Sequence, residues 1–366
     1  MAGPLAGLRV IEMAGIGPGP FAAMMLADHG AEVIRIDRPG TPYTPLDPLL
    51  RSRKSIVLDL KSIHDVATLR ALCRTADGLI EGFRPGVMER LGIGPDVLLS
   101  DNPNLIYGRM TGWGQTGPWA SAAGHDIDYI ALSGVLGTLG RAGEKPTPPI
   151  NLAGDFGGGG MMLAFAMVSA LLAVKMGGEG QVIDCAMTDG SALLAAMIWG
   201  FRADGSWREE RGVNLLDTGA PFYDTYETAD GGHVALGAIE PQFYALFREK
   251  AGLAHDPLFE TQNDQSRWPE QKRALAAVFK ARTRDEWSAL FGVSDGCLAP
   301  VLTMSEAIEH PHNRARGTFV EIGGAMQPAP APRYSKTRCD TPLAPKPPGA
   351  DTEAIRTALG PISSSD

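Results

Sequence analysis

The sequence predicts an α/β chain: a large domain in which helices cover a parallel sheet, followed by a smaller α+β domain. Three observations carry this reading. Apolar strand-like runs alternate with helical segments through the first half, a hairpin signal opens at residue 224, and proline-rich stretches close the chain. Strand and helix alternate in a parallel sheet because each crossover must be long enough to hold a helix.

The first strand is predicted at 8–14. The turn Gly15-Ile16-Gly17-Pro18-Gly19-Pro20, the apolar helix 21–29, a closing Gly30 and a second strand at 31–37 follow. That order makes a β-turn-α-β unit. The turn departs from a dinucleotide fingerprint: the third glycine is missing, and Pro18 and Pro20 remove two N–H donors that a pyrophosphate would use. No nicotinamide or flavin is expected there. Further strands are read at 56–60, 78–83 and 105–110, with a helix at 62–75. A helix at 161–175, a strand at 181–187 and a long helix from 188 to about 200 come next. Residues 201–224, glycine-rich and weakly periodic, read as a linker. The runs 224–227 and 233–239, joined by Asp230-Gly231-Gly232, form the hairpin that opens the smaller domain. Helices follow at 241–252 and 269–282, and Thr283-Arg284-Asp285-Glu286 is a capping box that starts another. Segments 327–332 and 342–348 read as extended crossings. The expected organisation is therefore a large domain begun over 1–186, a linker at 187–223, a small domain at 224–309, a linker at 310–327 and a return to the large domain over 328–366.

Composition narrows the class. The 366 residues are 44% hydrophobic and 20% charged, ordinary values for a folded chain, and the net charge of −9 disfavours nucleic acid as the main partner. Cys73, Cys185, Cys297 and Cys339 form no CxxC pair, so neither a zinc site nor a disulfide framework is expected. Residues 1–10 lack a basic stretch leading into an apolar run, no run reaches the length of a membrane span, and Ser363-Ser364-Ser365-Asp366 is not a peroxisomal address. The expectation is a cytoplasmic protein without membrane contact.

Two motifs could carry chemistry. In Gly124-His125-Asp126-Ile127-Asp128-Tyr129 a histidine, the side chain that titrates near neutrality, is flanked by carboxylates in a loop downstream of a strand end. In Asn151-Leu152-Ala153-Gly154-Asp155-Phe156, followed by Gly157 to Gly160, an aspartate precedes four glycines. Asp155 reads either as a helix cap or as a proton-handling group. The glycine run costs roughly 1 kcal/mol per residue in helix propensity, and close backbone approach to a ligand, with N–H groups offered to an oxyanion, is the expected compensation. Glu240 reads as an ordinary strand-end carboxylate or as a partner of His125. Arg38, Arg51, Arg53, Lys54, Arg84 and Arg90 follow strands or lie in the loops beyond them, where several on one sheet edge would make a diffuse phosphate site.

Gly7-Leu8-Arg9-Val10-Ile11-Glu12-Met13, Gly17-Pro18-Gly19-Pro20, Glu32-Val33-Ile34-Arg35-Ile36-Asp37, Glu81-Gly82-Phe83-Arg84-Pro85-Gly86-Val87 and Gly112-Trp113-Gly114-Gln115-Thr116-Gly117-Pro118 resemble the family III CoA-transferase (CaiB/BaiF) superfamily over essentially the whole chain. Within it, Gly124-His125-Asp126 is similar to the α-methylacyl-CoA racemases, because the transferases share the later aspartate and lack the histidine. The resemblance implies a Rossmann-like large domain, an interlocked homodimer and a 2-methylacyl-CoA substrate of lipid metabolism. Coenzyme A enters as part of that substrate, and no separate cofactor or metal is implied. His125 and Asp155 match the two proton-transfer residues, the histidine serving the (S)-proton and the aspartate the (R)-proton. Glu240 matches a contact to the histidine, and Asp126 belongs to the same network. Arg38 and Arg84 match positions that hold the nucleotide portion, while Arg51, Arg53 and Arg90 are less securely placed. The alternatives are a CoA-transferase with Asp155 as nucleophile and a non-catalytic acyl-CoA-binding protein.

Overall fold

The computed structural model describes residues 2–361. The C-terminal Ser-Ser-Ser-Asp discussed above lies outside them. The chain divides into two compact units: one holds the chain up to Ser133, Ile150–Ala195 and the stretch from His312 onward, the other Gly134–Pro149 and Ala196–Pro311. The division differs from the sequence expectation. Residues 134–149 leave the first unit early, 187–195 belong to it rather than to a linker, and the chain passes between units at 133/134, 149/150, 195/196 and 311/312 instead of through two linkers.

The first unit is a six-stranded parallel sheet in the order β3-β2-β1-β4-β5-β6, the doubly wound arrangement. Its strands are β1 (Arg9–Met13), β2 (Glu32–Asp37), β3 (Arg53–Val57), β4 (Gly78–Glu81), β5 (Ile106–Thr111) and β6 (Gln181–Ala186). The third starts three residues before the predicted 56–60. Alternate strand residues serve opposite layers. Val10, Val33, Ile80 and Ile106 face one core, and Ile11, Ile34, Leu79 and Tyr107 face the other. Helix α1 (Pro18–Asp28) packs in the first core; α2 (Ile63–Arg74) and α4 (Pro95–Asp101) pack in the second, and α3 (Val87–Arg90) lies between β4 and α4. Pro18 costs α1 nothing, because the first helical N–H has no intrahelical acceptor. Gly30, at φ +102°, ends it while the Ala31 N–H bonds back to the Leu26 carbonyl.

After β5 come α5 (Asp126–Leu132) and the short α6 (Val135–Thr138), the latter in the excursion that belongs to the second unit. The next helix departs most from expectation. It was read as starting at 161, but a π-helix already runs over Leu152–Met161 and continues directly into α7 (Met162–Lys175). Together they make a helix of 24 residues, long and apolar enough to cross a membrane by length and composition. That corrects the expectation that no run reaches such a length. Part of this helix is a core element: Leu163, Met167 and Leu171 are buried against the sheet. The long helix expected at 188–200 breaks at Ala195 into α8 (Met187–Leu194) and α9 (Ala196–Ala203).

Four glycines in a helix find their reason in packing. A Cβ on Gly157, Gly158 or Gly159 would meet the helix's own carbonyl five residues back at 3.0–3.1 Å, so the wide π geometry itself favours glycine. The outer faces are closer still. A Cβ on Gly158 would lie 2.5 Å from the Ser191 N of α8, and one on Gly160 2.7 Å from the Phe21 ring of α1. The run is a helix-packing surface, and its N–H groups lie inside the helix rather than exposed at its start.

The second unit holds an antiparallel three-stranded sheet in the order β7-β8-β9: β7 (Tyr223–Glu227), β8 (His233–Gly237) and β9 (Leu298–Pro300). Helices α10 (Pro241–Lys250), α11 (Trp268–Phe279) and α12 (Arg284–Phe291) cover it around Phe222, Phe247, Phe279 and Trp287. Arg141, from the excursion, pairs with Asp224 at 3.0 Å and ties residues 134–149 to this sheet. Back in the first unit, residues 327 and 328, expected to be an extended crossing, pair in the hairpin β10 (Phe319–Ile322) and β11 (Ala325–Pro328).

Candidate active site

Strand order reverses between β1 and β4, and the carboxyl ends of the strands at such a switch point are where open α/β sheets bind ligands. The loops after β1 and β4 flank this point. Gly17, after β1, adopts φ +66°, and a Cβ there would lie 3.2 Å from Asp155 Oδ2, so the turn passes directly against that carboxyl. The Gly15–Pro20 turn thus has a local reason unrelated to a dinucleotide.

Asp155 sits in the first turn of the π-helix, half-buried. Its Oδ2 accepts a hydrogen bond from Asn151 Nδ2 at 3.1 Å. Burial pushes its pKa above the ordinary carboxylate value and the neighbouring Asp126 charge adds to the rise, while the Asn151 bond and the nearby His125 oppose it. Asp126 is itself buried. Its Oδ1 accepts the Asp155 backbone N–H at 2.6 Å, and its Oδ2 has no hydrogen-bond partner among the described residues. Gly154 permits this contact, since a Cβ there would fall 2.5 Å from Asp126 Oδ1.

His125 caps α5 from an extended backbone, with an exposed side chain. Its N–H donates to the Asp128 carboxylate at 2.9 Å, and its carbonyl accepts from the Asp128 N–H at 2.8 Å. The histidine therefore projects from a backbone tied on both sides. His125, Asp126 and Asp155 are brought together, because Asp126 follows His125 at the start of α5 and its carboxylate accepts the Asp155 N–H. Glu240 belongs to the second unit, exposed at the N-cap of α10, where its carbonyl accepts the Tyr244 N–H at 2.9 Å.

The arginines separate into two sets. Arg38 follows β2, Arg84 follows β4 and Arg90 ends α3; all three are exposed, and none forms an ion pair among the described residues. Arg51 and Arg53 correct the sequence expectation. Arg51 is buried against Asp28 and also donates to Gln327 Oε1 at 3.0 Å and the Pro328 carbonyl at 2.7 Å. Arg53 pairs with the fully buried Glu12 at 2.9 Å and donates to the Arg51 and Pro20 carbonyls. Internal acceptors occupy both guanidinium groups, which leaves them fastening α1 and β11 to the sheet rather than meeting a phosphate.

One arginine that sequence reasoning passed over positions another. Arg109 on β5 bonds Glu81 at 2.9 Å and Glu89 at 2.8 Å, and the second Glu81 oxygen accepts the Phe83 N–H at 2.7 Å. The loop that carries Arg84 is thereby braced at both ends. Asn151 was also unassigned, although it stands four residues before Asp155, the spacing that aligns side chains along a helix. Among the described residues no cluster of three or more His, Cys, Asp or Glu side chains is arranged to hold a metal ion.

The comparisons agree with this architecture. The family model "CoA-transferase family III" matches residues 5–352, and the chain belongs to that family. It is 50% identical over 334 residues to the α-methylacyl-CoA racemase of Mus musculus and 48% identical to that of Homo sapiens, covering 91% of this chain and 87% of each relative. A CAIB/BAIF family protein from Brucella suis superposes with a TM-score of 0.83 at 26% identity, over 98% of this chain and all of that one.

The Asn151 amide favours the charged form of Asp155, so Asn151→Ala is expected to raise the Asp155 pKa further. Titrating carboxyl-labelled aspartate by NMR checks this. An unshifted Asp155 resonance would refute the assignment.

Proposed function

We infer that this chain is a racemase that interconverts (R)- and (S)-2-methylacyl-CoA thioesters by moving the α-proton between His125 and Asp155. The observation that carries the reading is the pairing itself: an imidazole and a carboxyl of raised pKa on two different helix starts, which the Asp155 N–H bond to the Asp126 carboxylate, next to His125 in the chain, holds together. The 48–50% identity to α-methylacyl-CoA racemases supports it.

In this mechanism one base removes the α-proton, the thioester carbonyl takes up charge as an enolate, and the other base returns a proton to the opposite face. By resemblance His125 serves the (S)-proton and Asp155 the (R)-proton. A carboxyl pushed up by burial suits this role, because it must hold the proton between steps as well as release it. General acid–base groups contribute roughly 10²–10⁴ in rate. The positive end of the 24-residue helix lies at residues 151–154, beside Asp155, and favours the negative charge that develops there. It takes the role first expected of the glycine run. Side chains alone supply the chemistry, and coenzyme A enters with the substrate.

Arg38, Arg84 and Arg90, exposed and free of ion pairs among the described residues, are assigned to the phosphates of the nucleotide portion. Glu240 is assigned, by resemblance, to orient His125. We also propose the interlocked homodimer, with the cytoplasm as its compartment. Met161, Phe165, Val168, Leu172 and Met176 form an exposed apolar stripe along one face of α7, beside the open edge strand β6 with its exposed Val182. Phe165 is 72% and Met176 80% exposed, and a stripe of this extent calls for a partner surface. A second copy is the partner proposed.

The activity is tested with (S)-2-methyldecanoyl-CoA in deuterated water. The expected product is a mixture approaching about equal amounts of both epimers, which differ only at an α-carbon remote from the stereocentres of coenzyme A, with each inverted molecule carrying one α-deuterium. Retention of the α-hydrogen with transfer of coenzyme A to an added carboxylate would instead establish the transferase reading. For the dimer, the wild type is expected to sediment at twice 38.8 kDa and Phe165→Glu as a monomer. A monomeric wild type would remove the dimer from the account.

A further inference from the structure

Glu240 is assigned above to orient the His125 ring, but the loop that carries the histidine must itself be held in place. His125 is exposed, at the end of a long loop after β5, and an exposed imidazole on a free loop would lose the alignment that proton transfer requires. Its backbone is restrained on the helix side by Asp128. On the loop side the restraint comes from Tyr129. This residue lies one turn into α5, and its side chain runs back toward the helix start, as helical side chains do. Its hydroxyl donates to the carbonyl of Gly124, the residue immediately before His125.

The phenol ring has no room to move. A Cβ on Gly112 would fall 2.1 Å from its Cε1 and one on Gly124 2.8 Å from the same atom, so two glycines close on it from the β5 end and the histidine loop. Trp113 stands edge-on to it at 4.7 Å and is itself met edge-on by Trp119 at 4.9 Å. The ring is buried, and its electrostatic neighbours include Asp155, Asp128 and Arg84. Burial pushes its pKa up to about 12, with the Asp155 and Asp128 charges adding to the rise, so it remains a donor wherever the bases work.

We propose that Tyr129 is a positioning residue for His125: its hydroxyl fastens the Gly124 carbonyl, and its ring, wedged between Gly112 and Gly124, sets the direction in which the loop presents the imidazole toward the α-carbon. The proposal rests on the two-base reading above. A ring that served packing alone would have no use for the hydroxyl.

The two roles separate on Tyr129→Phe, which keeps the ring and removes the bond to Gly124. The probe is (R)-2-methyldecanoyl-CoA in deuterated water, the epimer whose proton is assigned to Asp155. With His125 misaimed, Asp155 still exchanges the proton on its own face while delivery from the other face fails. The expected result is a kcat for inversion lower by about tenfold, a KM within about twofold, and a ratio of deuterium wash-in with retention to inversion that rises at least about threefold. Tyr129→Leu, which also removes the ring, is expected to lower inversion further. The proposal is overturned if wash-in and inversion fall in proportion, if neither changes, or if the phenylalanine variant fails to fold, which would make Tyr129 a folding residue. Absence of deuterium from the wild-type product would overturn the two-base reading itself, and this proposal with it.

Discussion

The Asp155 backbone N–H bonded to the Asp126 carboxylate at 2.6 Å is the contact on which the site depends. It joins the start of α5, which carries His125, to the start of the π-helix, which carries Asp155. Each of the two residues proposed as bases sits on its own helix, so their separation is set by how these two starts are fixed to each other. Burying a carboxylate is costly, and one of its oxygens has no partner among the described residues. The arrangement persists because Gly154 admits the contact and because α8 packs against the π-helix as closely as glycine allows, through Gly158 and Gly190. Burial raises the pKa of Asp155, and the charge that ties the elements together adds to the rise. One side chain therefore supplies geometry and part of the proton affinity.

The glycine run shows how function constrains a fold away from the reacting atoms. Ten residues of π-helix are unusual, since the i→i+5 pattern is ordinarily a single-turn insertion. Here it brings α1, α8 and the Asp155 helix to within glycine contact. That convergence lets the Gly17 turn lie against the Asp155 carboxyl, and the buried Glu12–Arg53 pair, reaching the Pro20 carbonyl, supports the turn from below. The sheet, the buried arginines and the glycine surface thus act together on the position of one carboxyl.

His125, Asp126 and Asp155 stood out as candidates in the sequence because the motifs are local: a histidine among carboxylates, and an aspartate before a glycine run. The strands were legible because alternate residues face two cores. What was not legible depends on contacts between distant segments. Arg51 and Arg53 look like surface cations until Asp28 and Glu12, on other elements, are seen to occupy them. The four glycines look like a helix start until α1 and α8 are in place on either side. Residues 134–149 carry no composition signal for leaving the first unit, and it is Arg141 meeting Asp224, 83 positions later, that holds them elsewhere. Asn151 and Tyr129 lay within or beside the motifs already singled out, but their partners, Asp155 Oδ2 and the Gly124 carbonyl, emerge only from the three-dimensional arrangement.

The central claim is that two bases act on opposite faces of one α-carbon, and His125→Gln tests it most directly. Given separately (R)- and (S)-2-methyldecanoyl-CoA in deuterated water, the variant should exchange the α-proton of the (R)-epimer with retention through Asp155, leave the (S)-epimer unexchanged, and invert neither. A variant that still inverts either epimer, or that exchanges both equally, would contradict the account.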